Sequence, residues 1–243
     1  MITLYSYPGL FGVADNNPYG LKVYAFLKLA GVPFVQRHVV DAARAPRGQL
    51  PYIEDDGEAI GDSDTIIAHL VGQHRLTINQ GLGEAERDAD HLIGRMLDDL
   101  YWIMSYSRWQ DEAYWPAFRD ALLREHPALT EQVLVAARAF NFKRYYYQGV
   151  GRFEPDAAYA RGLQDLEVLA RLVPANGWLH GREPSSIDAA IYGFIANIWF
   201  YPIDTPLRGA VAARPNLIRH CVLMHAAAAA ELSPAGQPSG LDI

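Results

Sequence analysis

The sequence has a single cysteine, Cys221, among its 243 residues. One cysteine cannot form an internal disulfide, a zinc ribbon or a dithiol redox pair. Positive charge is also scarce, because 21 Lys and Arg against 28 Asp and Glu give a formal net charge of −7. This sign repels phosphate backbones and argues against a nucleic-acid partner. Because the chain has only one cysteine, we expect it to belong to a reducing compartment, the cytoplasm.

Long hydrophobic runs and targeting signals are absent as well. The N-terminus carries neither a basic region nor a long apolar stretch, so we expect no signal or transit peptide. The longest uncharged run, residues 189–203, contains Asn197 and Pro202 and is shorter than the roughly 20 residues that a membrane helix needs. The eight His residues include no His-x-x-x-His spacing. We predict no membrane span and no metal site.

The first third of the chain alternates strand and helix signals. Ile2–Tyr7 is a short β-rich run, and a loop separates it from a helix that begins at Pro18 and ends near Gly31. The pattern then predicts a strand over Pro33–Val40, two short strands around an Asp-Gly hairpin turn, and a helix that starts at Gly61-Asp62-Ser63. The predicted order is β-α-β-β-β-α.

The rest of the chain is predicted to be helical. Strand signals stop at residues 76–84, where we place a domain boundary, and amphipathic runs predict at least five helices within 84–231, followed by a polar tail over 232–243. Ser185-x-x-Asp188 is a capping box that opens the most hydrophobic helix, which we expect to be central. Cys221 is interpreted as a buried small hydrophobe. The cations and aromatic residues of Phe142–Tyr147 are typical of a helix end.

Several of these segments together resemble the glutathione transferase superfamily over nearly the whole chain. They are the Leu50-Pro51-Tyr52 step before the hairpin, the Gly61-Asp62-Ser63 helix start and the Ser185-x-x-Asp188 capping box. With residues 50–57, 106–109 and 180–189, the chain is similar to the branch of failed-axon-connections and metaxin-like proteins and their bacterial relatives. The resemblance implies an α/β thioredoxin-like N-terminal domain (1–76), an all-α C-terminal domain (84–231) and glutathione as co-substrate.

The resemblance also implies how glutathione would be held. Ser63 corresponds to the residue that binds the γ-glutamyl carboxylate, and the acidic Asp62 helps to bind the ammonium group. The free amides at a helix start attract a carboxylate for a physical reason; the alternative is that Ser63 only caps the helix. Pro51 corresponds to a cis-proline that turns the backbone of Leu50 towards the cysteinyl unit, and its alternative is an ordinary turn before a strand.

The group that would meet the thiol is less defined. Related thioredoxin-like proteins place a nucleophile at the start of the first helix, where this chain has Asn17, which either donates to a thiolate or only caps the helix. Tyr5 and Tyr7 resemble the position of the tyrosine that activates the thiol in several transferase classes, and the alternative for both is core packing. The loop over residues 8–16 is longer than in those classes.

We expect from these features a glutathione transferase that activates the thiolate for attack on an apolar electrophile. Most of the aromatic residues at 101–115 are expected to be core, although the cleft between the two halves would accept a flat apolar substrate against such side chains. The alternative is a non-catalytic interaction module of the metaxin-like type that keeps the fold. The family implies a homodimer, and closed two-fold dimers are the commonest oligomers.

Overall fold

The computed structural model describes residues 1–229 and 239–242. Its N-terminal part follows the predicted order of strands and helices. The elements are β1 (Ile2–Ser6), α1 (Pro18–Leu29), β2 (Phe34–Val39), β3 (Tyr52–Asp55), β4 (Glu58–Gly61) and α2 (Ser63–Gln73). Strand β1 pairs parallel with β2 and antiparallel with β3, and β3 pairs antiparallel with β4. The thioredoxin-like expectation is confirmed.

Strand β1 has two different faces because side chains alternate along a strand. Ile2 and Leu4 are buried in the main core, which α1 and the helical half complete. Tyr5 and Tyr7 point to the opposite face and pack on a small second cluster around Leu50. The two tyrosines therefore share one side of the sheet.

The remaining described elements are mostly helical. They are α3 (Glu84–Trp109), α4 (Trp115–Glu125), α5 (Glu131–Gln148), a 3₁₀ turn (Val150–Arg152), α6 (Pro155–Leu172), α7 (Ser186–Trp199), α8 (Pro206–Ala212) and α9 (Pro215–Ala229). The boundary that we placed at residues 76–84 falls in the connection between α2 and α3. Of the expected polar tail, 232–238 and 243 lie outside the described residues, and β5 (Ser239–Asp242) pairs parallel with β2.

Helix α7 is the central helix of the protein, as its sequence predicted. Twelve of its 14 residues are buried, and it packs on α1, α3, α8 and α9. The capping box is present, with the Ser185 N–H donating to the Asp188 carboxylate at 2.8 Å. Asp188 also accepts from the Leu179 N–H at 3.0 Å and lies 2.8 Å from His220 Nε2. These bonds join the start of α7 to α9 and to the preceding loop.

Helices α1 and α7 approach each other closely at Gly193. A Cβ on this residue would overlap the Pro18 carbonyl oxygen and lie 3.1 Å from the Lys22 backbone nitrogen. Glycine is required there by space rather than by its backbone angles. On α9, Cys221 is fully buried, and burial raises the pKa of its thiol. Within residues 1–229 and 239–242, no helix is long and apolar enough to cross a membrane.

Candidate active site

The loop between β1 and α1 is held in place by a buried aspartate. Asp15 is fully buried, and its Oδ1 accepts the Asn17 N–H at 2.7 Å. A Cβ at Gly20 would overlap the other carboxylate oxygen, so only glycine fits beside it. Burial raises the pKa of Asp15 well above its usual value, although hydrogen bonds from Asn17 and Tyr7 N–H groups oppose the shift. The loop is therefore an ordered support for the start of α1.

Asn17 lies at the end of this loop and is the N-cap of α1. Its side-chain oxygen accepts the Tyr19 N–H at 3.0 Å. No described residue accepts a hydrogen bond from its side-chain NH₂ group, and Asn17 is one of the residues that line a neighbouring cavity. The cap and a donor function therefore use different atoms of the same side chain, and one does not exclude the other.

That cavity has a volume of about 440 Å³ and lies where the end of β1 and the start of α1 meet α3, α4 and α5. Its polar side chains include Tyr7, Asn17, Tyr101, Ser105, Asn141 and Arg144. Its apolar side chains include Met104, Trp109, Phe118, Leu122, Leu134 and Ala137. Both halves of the chain contribute, and the mixture suits a small ligand that has an apolar body and one polar reacting end.

Tyr7 lines the cavity, whereas Tyr5 is not among the lining residues. Burial raises the Tyr7 pKa to about 12, with a smaller contribution from nearby Tyr101, so its hydroxyl is a neutral donor at physiological pH. The Tyr5 hydroxyl donates to Glu54 at 2.9 Å, and its ring stacks on Tyr52 at 4.3 Å. Burial and the Glu54 contact raise its pKa to about 12 as well. Tyr7, but not Tyr5, thus lines the same cavity as Asn17.

The segment before β3 has the backbone geometry that the resemblance implied. The Leu50-Pro51 peptide bond is cis. Both residues are buried, and Leu50 packs in the small cluster with Tyr52, on the face of the sheet that carries Tyr7. Neither residue lines the cavity, although Gly48 does.

At the start of α2, Ser63 is not the N-cap, although that was the alternative considered for this residue. The N-cap is Asp62, whose Oδ1 accepts from the N–H and the hydroxyl of Thr65, both at 3.0 Å. Burial acts to raise the Asp62 pKa, but the Thr65 bonds and the charges of Arg47 and Lys22 lower it overall. The interpretation of Ser63 as the cap is therefore wrong, because Ser63 is already the first helical residue.

Ser63 has a partner that sequence reasoning missed. Ser63 is only 5% exposed, and its hydroxyl accepts a hydrogen bond from Lys22 Nζ at 3.3 Å. Lys22 projects from α1 and also forms an ion pair with Asp64. Lys22 lies between Leu21 and Val23 in the sequence of α1, and a lysine between two apolar residues was the available signal. The start of α2 therefore combines free helix amides, a hydroxyl and a buried cation.

Arg144 was also missed as a site residue, whereas Tyr101 belongs to the aromatic residues at 101–115 that were considered for the cleft. Arg144 belongs to the Phe142–Tyr147 run, which does end helix α5, as predicted. The sequence signal could not show that this helix end faces the cavity. Among the described residues, no group of three or more His, Cys, Asp or Glu side chains could hold a metal ion.

Comparison with known proteins identifies the family. Residues 18–114 match the glutathione S-transferase N-terminal domain, and residues 162–224 match the glutathione S-transferase C-terminal domain. Isoprene-epoxide glutathione S-transferase of Rhodococcus sp. strain AD45 is 29% identical over 228 residues, which cover 90% of this chain and 95% of that protein. Failed axon connections of Drosophila melanogaster is 28% identical over 90% of this chain and 56% of its own length.

Solved structures confirm the fold. A glutathione S-transferase from Methylobacterium radiotolerans, in complex with glutathione sulfonate, superposes with a TM-score of 0.63 at 17% identity. The match covers 100% of this chain and 99% of the other. The two family domains lie in the expected order, and the similar proteins match most of the length of this chain. The solved structure shares the same architecture. This chain belongs to the glutathione S-transferase superfamily.

Proposed function

We propose that this protein is a glutathione transferase whose thiol site lies in the cavity beside Asn17 and Tyr7. The observation that carries the proposal is that both of these donors line one cavity, which residues from both halves of the chain enclose. Support comes from the Rhodococcus relative, whose name describes a glutathione S-transferase. Further support comes from the similar structure that contains glutathione sulfonate.

The proposed chemistry uses neutral donors and no protein nucleophile. The Asn17 NH₂ group and the Tyr7 hydroxyl donate hydrogen bonds to the sulfur, and the positive end of the α1 dipole favours the thiolate. The thiol proton leaves to solvent, and the sulfur attacks the electrophile. A sulfur–carbon bond forms, and the electron pair of the broken bond leaves with the displaced atom.

The peptide part of glutathione is proposed to extend from this cavity to the start of α2. The Ser63 hydroxyl and the first α2 amides would bind the γ-glutamyl carboxylate, and Lys22 adds a positive charge beside them. Asp62, whose lowered pKa keeps it ionised, would bind the ammonium group. The Leu50 backbone before cis-Pro51 would pair with the cysteinyl unit.

The apolar side chains of the cavity indicate the class of electrophile. Trp109, Phe118 and Leu134 offer aromatic and aliphatic surface to a small apolar molecule. The name of the Rhodococcus relative describes action on isoprene epoxide. We propose small apolar electrophiles, with epoxides as the first class to assay.

Titration calorimetry with glutathione tests the binding half of the proposal. Ser63→Ala removes a hydrogen bond to a charged group and should weaken binding by about 1–3 kcal/mol. Ser107→Ala is the control, because Ser107 is similarly buried but bonds only to the Met104 carbonyl within α3. If folded protein shows no heat with millimolar glutathione, the enzyme proposal fails and the interaction-module alternative takes its place.

Substitutions of Asn17 test the thiol half. Asn17→Asp keeps a good helix cap but replaces the NH₂ donor by a carboxylate that repels a thiolate, so turnover should fall by about 10²-fold while the melting temperature is kept. Asn17→Ser keeps both a cap and a donor and should retain more activity. Cys221→Ala should be fully active because its thiol is buried in α9. Full turnover in Asn17→Asp would contradict the mechanism.

We also propose that the protein is a two-fold homodimer, as the family implies. Light scattering at micromolar concentration measures the mass directly. A mass near 27.1 kDa would be that of one chain and would contradict the dimer.

A further inference from the structure

Helix α5 brings an arginine with unused donors to the cavity wall. The Arg144 Nη1 donates to Asn141 Oδ1 at 3.0 Å, and the guanidinium carbon lies 5.2 Å from the centre of the Trp102 ring. Arg144 forms no ion pair with any described residue. A guanidinium carries five N–H donors, and only one of them has a described acceptor. Arg144 therefore brings a positive charge without an ion-pair partner among the described residues to a cavity whose lining is both polar and apolar and includes Asp41.

The other arginine of this wall already donates to three acceptors. Arg108 is 7% exposed, and its Nη1 donates to the Asn16 carbonyl at 2.8 Å. Its Nη2 donates to the carbonyl and to the side-chain oxygen of Asn197. Its guanidinium carbon lies 4.0 Å from the centre of the Tyr201 ring. Arg108 connects α3, α7 and the β1–α1 loop, whereas Arg144 has one described acceptor and more donors to offer a ligand.

Arg144 and Tyr7 act on the same part of the cavity, although they come from opposite halves of the chain. The positive charge of Arg144 reaches the Tyr7 hydroxyl, where it opposes the effect of burial on the Tyr7 pKa. Asn141, one turn before Arg144 on α5, accepts its hydrogen bond and lines the cavity too. The guanidinium is thus oriented by Asn141 and by the Trp102 ring.

We propose that the Arg144 guanidinium is a catalytic group that faces the sulfur of bound glutathione and stabilises its thiolate. This inference rests on the proposed function. The guanidinium adds a full positive charge to the two neutral donors, and an opposite charge close to an ionisable group favours its charged form. Arg144 stays protonated throughout, so the thiol proton leaves to solvent, and the negative charge then passes from sulfur to the electrophile.

The test measures the ionisation of enzyme-bound glutathione directly, by the ultraviolet absorbance of its thiolate against pH. Arg144→Met removes the charge and keeps a flexible apolar side chain beside Trp102. Because a charge close to an ionisable group shifts its pKa by about 1–3 units, we expect the bound thiol pKa to rise by that amount. In Arg144→Lys, which keeps the charge, the pKa of the bound thiol should rise less.

Arg152→Met is the matched control. Arg152 also donates one hydrogen bond, to the Tyr146 carbonyl at 2.9 Å, and lies 5.1 Å from the centre of the Tyr146 ring, but it does not line this cavity. In Arg152→Met, the pKa of the bound glutathione thiol should equal that in the wild type. Melting temperatures of all variants identify any that fails to fold, and Arg144→Lys and Arg144→Gln then replace Arg144→Met in the titration.

The outcomes separate this inference from the proposed function. A higher thiol pKa in Arg144→Met alone supports the inference. An unchanged thiol pKa with a higher KM for the electrophile would assign Arg144 to electrophile binding and overturn it, and so would equal shifts in Arg144→Met and Arg152→Met. If the wild type binds glutathione and Arg144→Met retains its thiol pKa, only this inference fails. If the wild type binds no glutathione, both fail.

Discussion

Helices α7 and α5 differ in how they are packed and in what they do. Twelve of the 14 residues of α7 are buried, whereas α5 buries only Leu134, Asn141 and Tyr145 of its 18 residues. Side chains on α5 such as Val135, Phe140 and Tyr147 are 58%, 63% and 80% exposed. Helix α7 touches elements of both halves, while α5 packs mainly on α3 and the 3₁₀ turn. One helix is the scaffold, and the other is a cavity wall.

The scaffold helix reaches the candidate site through the β1–α1 loop. Asn197 on α7 donates to the Asp15 carbonyl at 3.2 Å, and Gly193 lets α1 lie against α7. The start of α1, and with it Asn17, is therefore positioned by the most buried part of the molecule. Helix α5 contributes Asn141 and Arg144 to the same cavity from a much less buried position. The most buried helix and the exposed helix α5 therefore contribute to the site in different ways, the first as support and the second as cavity lining.

The largest expected effect is the loss of the aspartate at the start of α7. Asp188→Ala leaves His220, which is fully buried, without its carboxylate, and also removes the acceptor of two backbone amides. Removing one partner of a buried pair costs about 3–5 kcal/mol, and urea unfolding measures it. Asp204→Ala is the control, because this side chain is 92% exposed in its pair with Arg208. Equal losses in both variants would contradict the scaffold role.

Acid should weaken the contacts that Asp188 makes at the start of α7. Burial acts to raise the Asp188 pKa, but the contacts with His220 and the Ser185 and Leu179 amides hold it below its usual value. The unfolded chain then binds more protons, so the stabilisation is complete above about pH 4, the unfolded pKa, and is lost as the pH falls through the folded pKa. The difference in unfolding free energy between wild type and Asp188→Asn should shrink below about pH 4. A constant difference would contradict this assignment.

A smaller effect is expected where α7 meets α1. Gly193→Ala forces a methyl group against the Pro18 carbonyl and the Lys22 backbone, and such overpacking costs about 1–3 kcal/mol. Gly94→Ala in α3 has no atom within 4 Å of the new Cβ. It should gain about 0.5–1 kcal/mol from helix propensity. Unfolding free energies of the two variants should change with opposite signs, and a loss at both positions would remove the packing argument.

The smallest effect is expected on the outer face of α5. Val135 is 58% exposed, so Val135→Thr should change the unfolding free energy by less than about 0.5 kcal/mol. Ile191 of α7 is fully buried, so Ile191→Val should cost about 0.5–1.5 kcal/mol. A greater loss at Val135 than at Ile191 would show that a partner covers this face of α5 in solution.

The scaffold was largely predictable from sequence, because its signals are local. Pro18 at the start of α1 and the Ser185-x-x-Asp188 box each act within one helical turn. The order of strands β1 to β4 along the chain followed from short alternating runs. The identity of the α2 cap was not predictable in the same way, since Asp62 and Ser63 are both good caps and only the backbone of Asp62, with φ 76°, decides between them.

The site was predictable only in part. The sequence by itself determined that donors and helix starts of the glutathione transferase type are present, because residue chemistry and capping patterns are properties of short segments. Which of them meet was decided by the tertiary structure. Tyr5 and Tyr7 share one face of β1, yet only Tyr7 lies at the end of the strand where the helical half closes the cavity. Arg144 reaches that cavity from α5 through contacts distant in sequence, which no local pattern encodes.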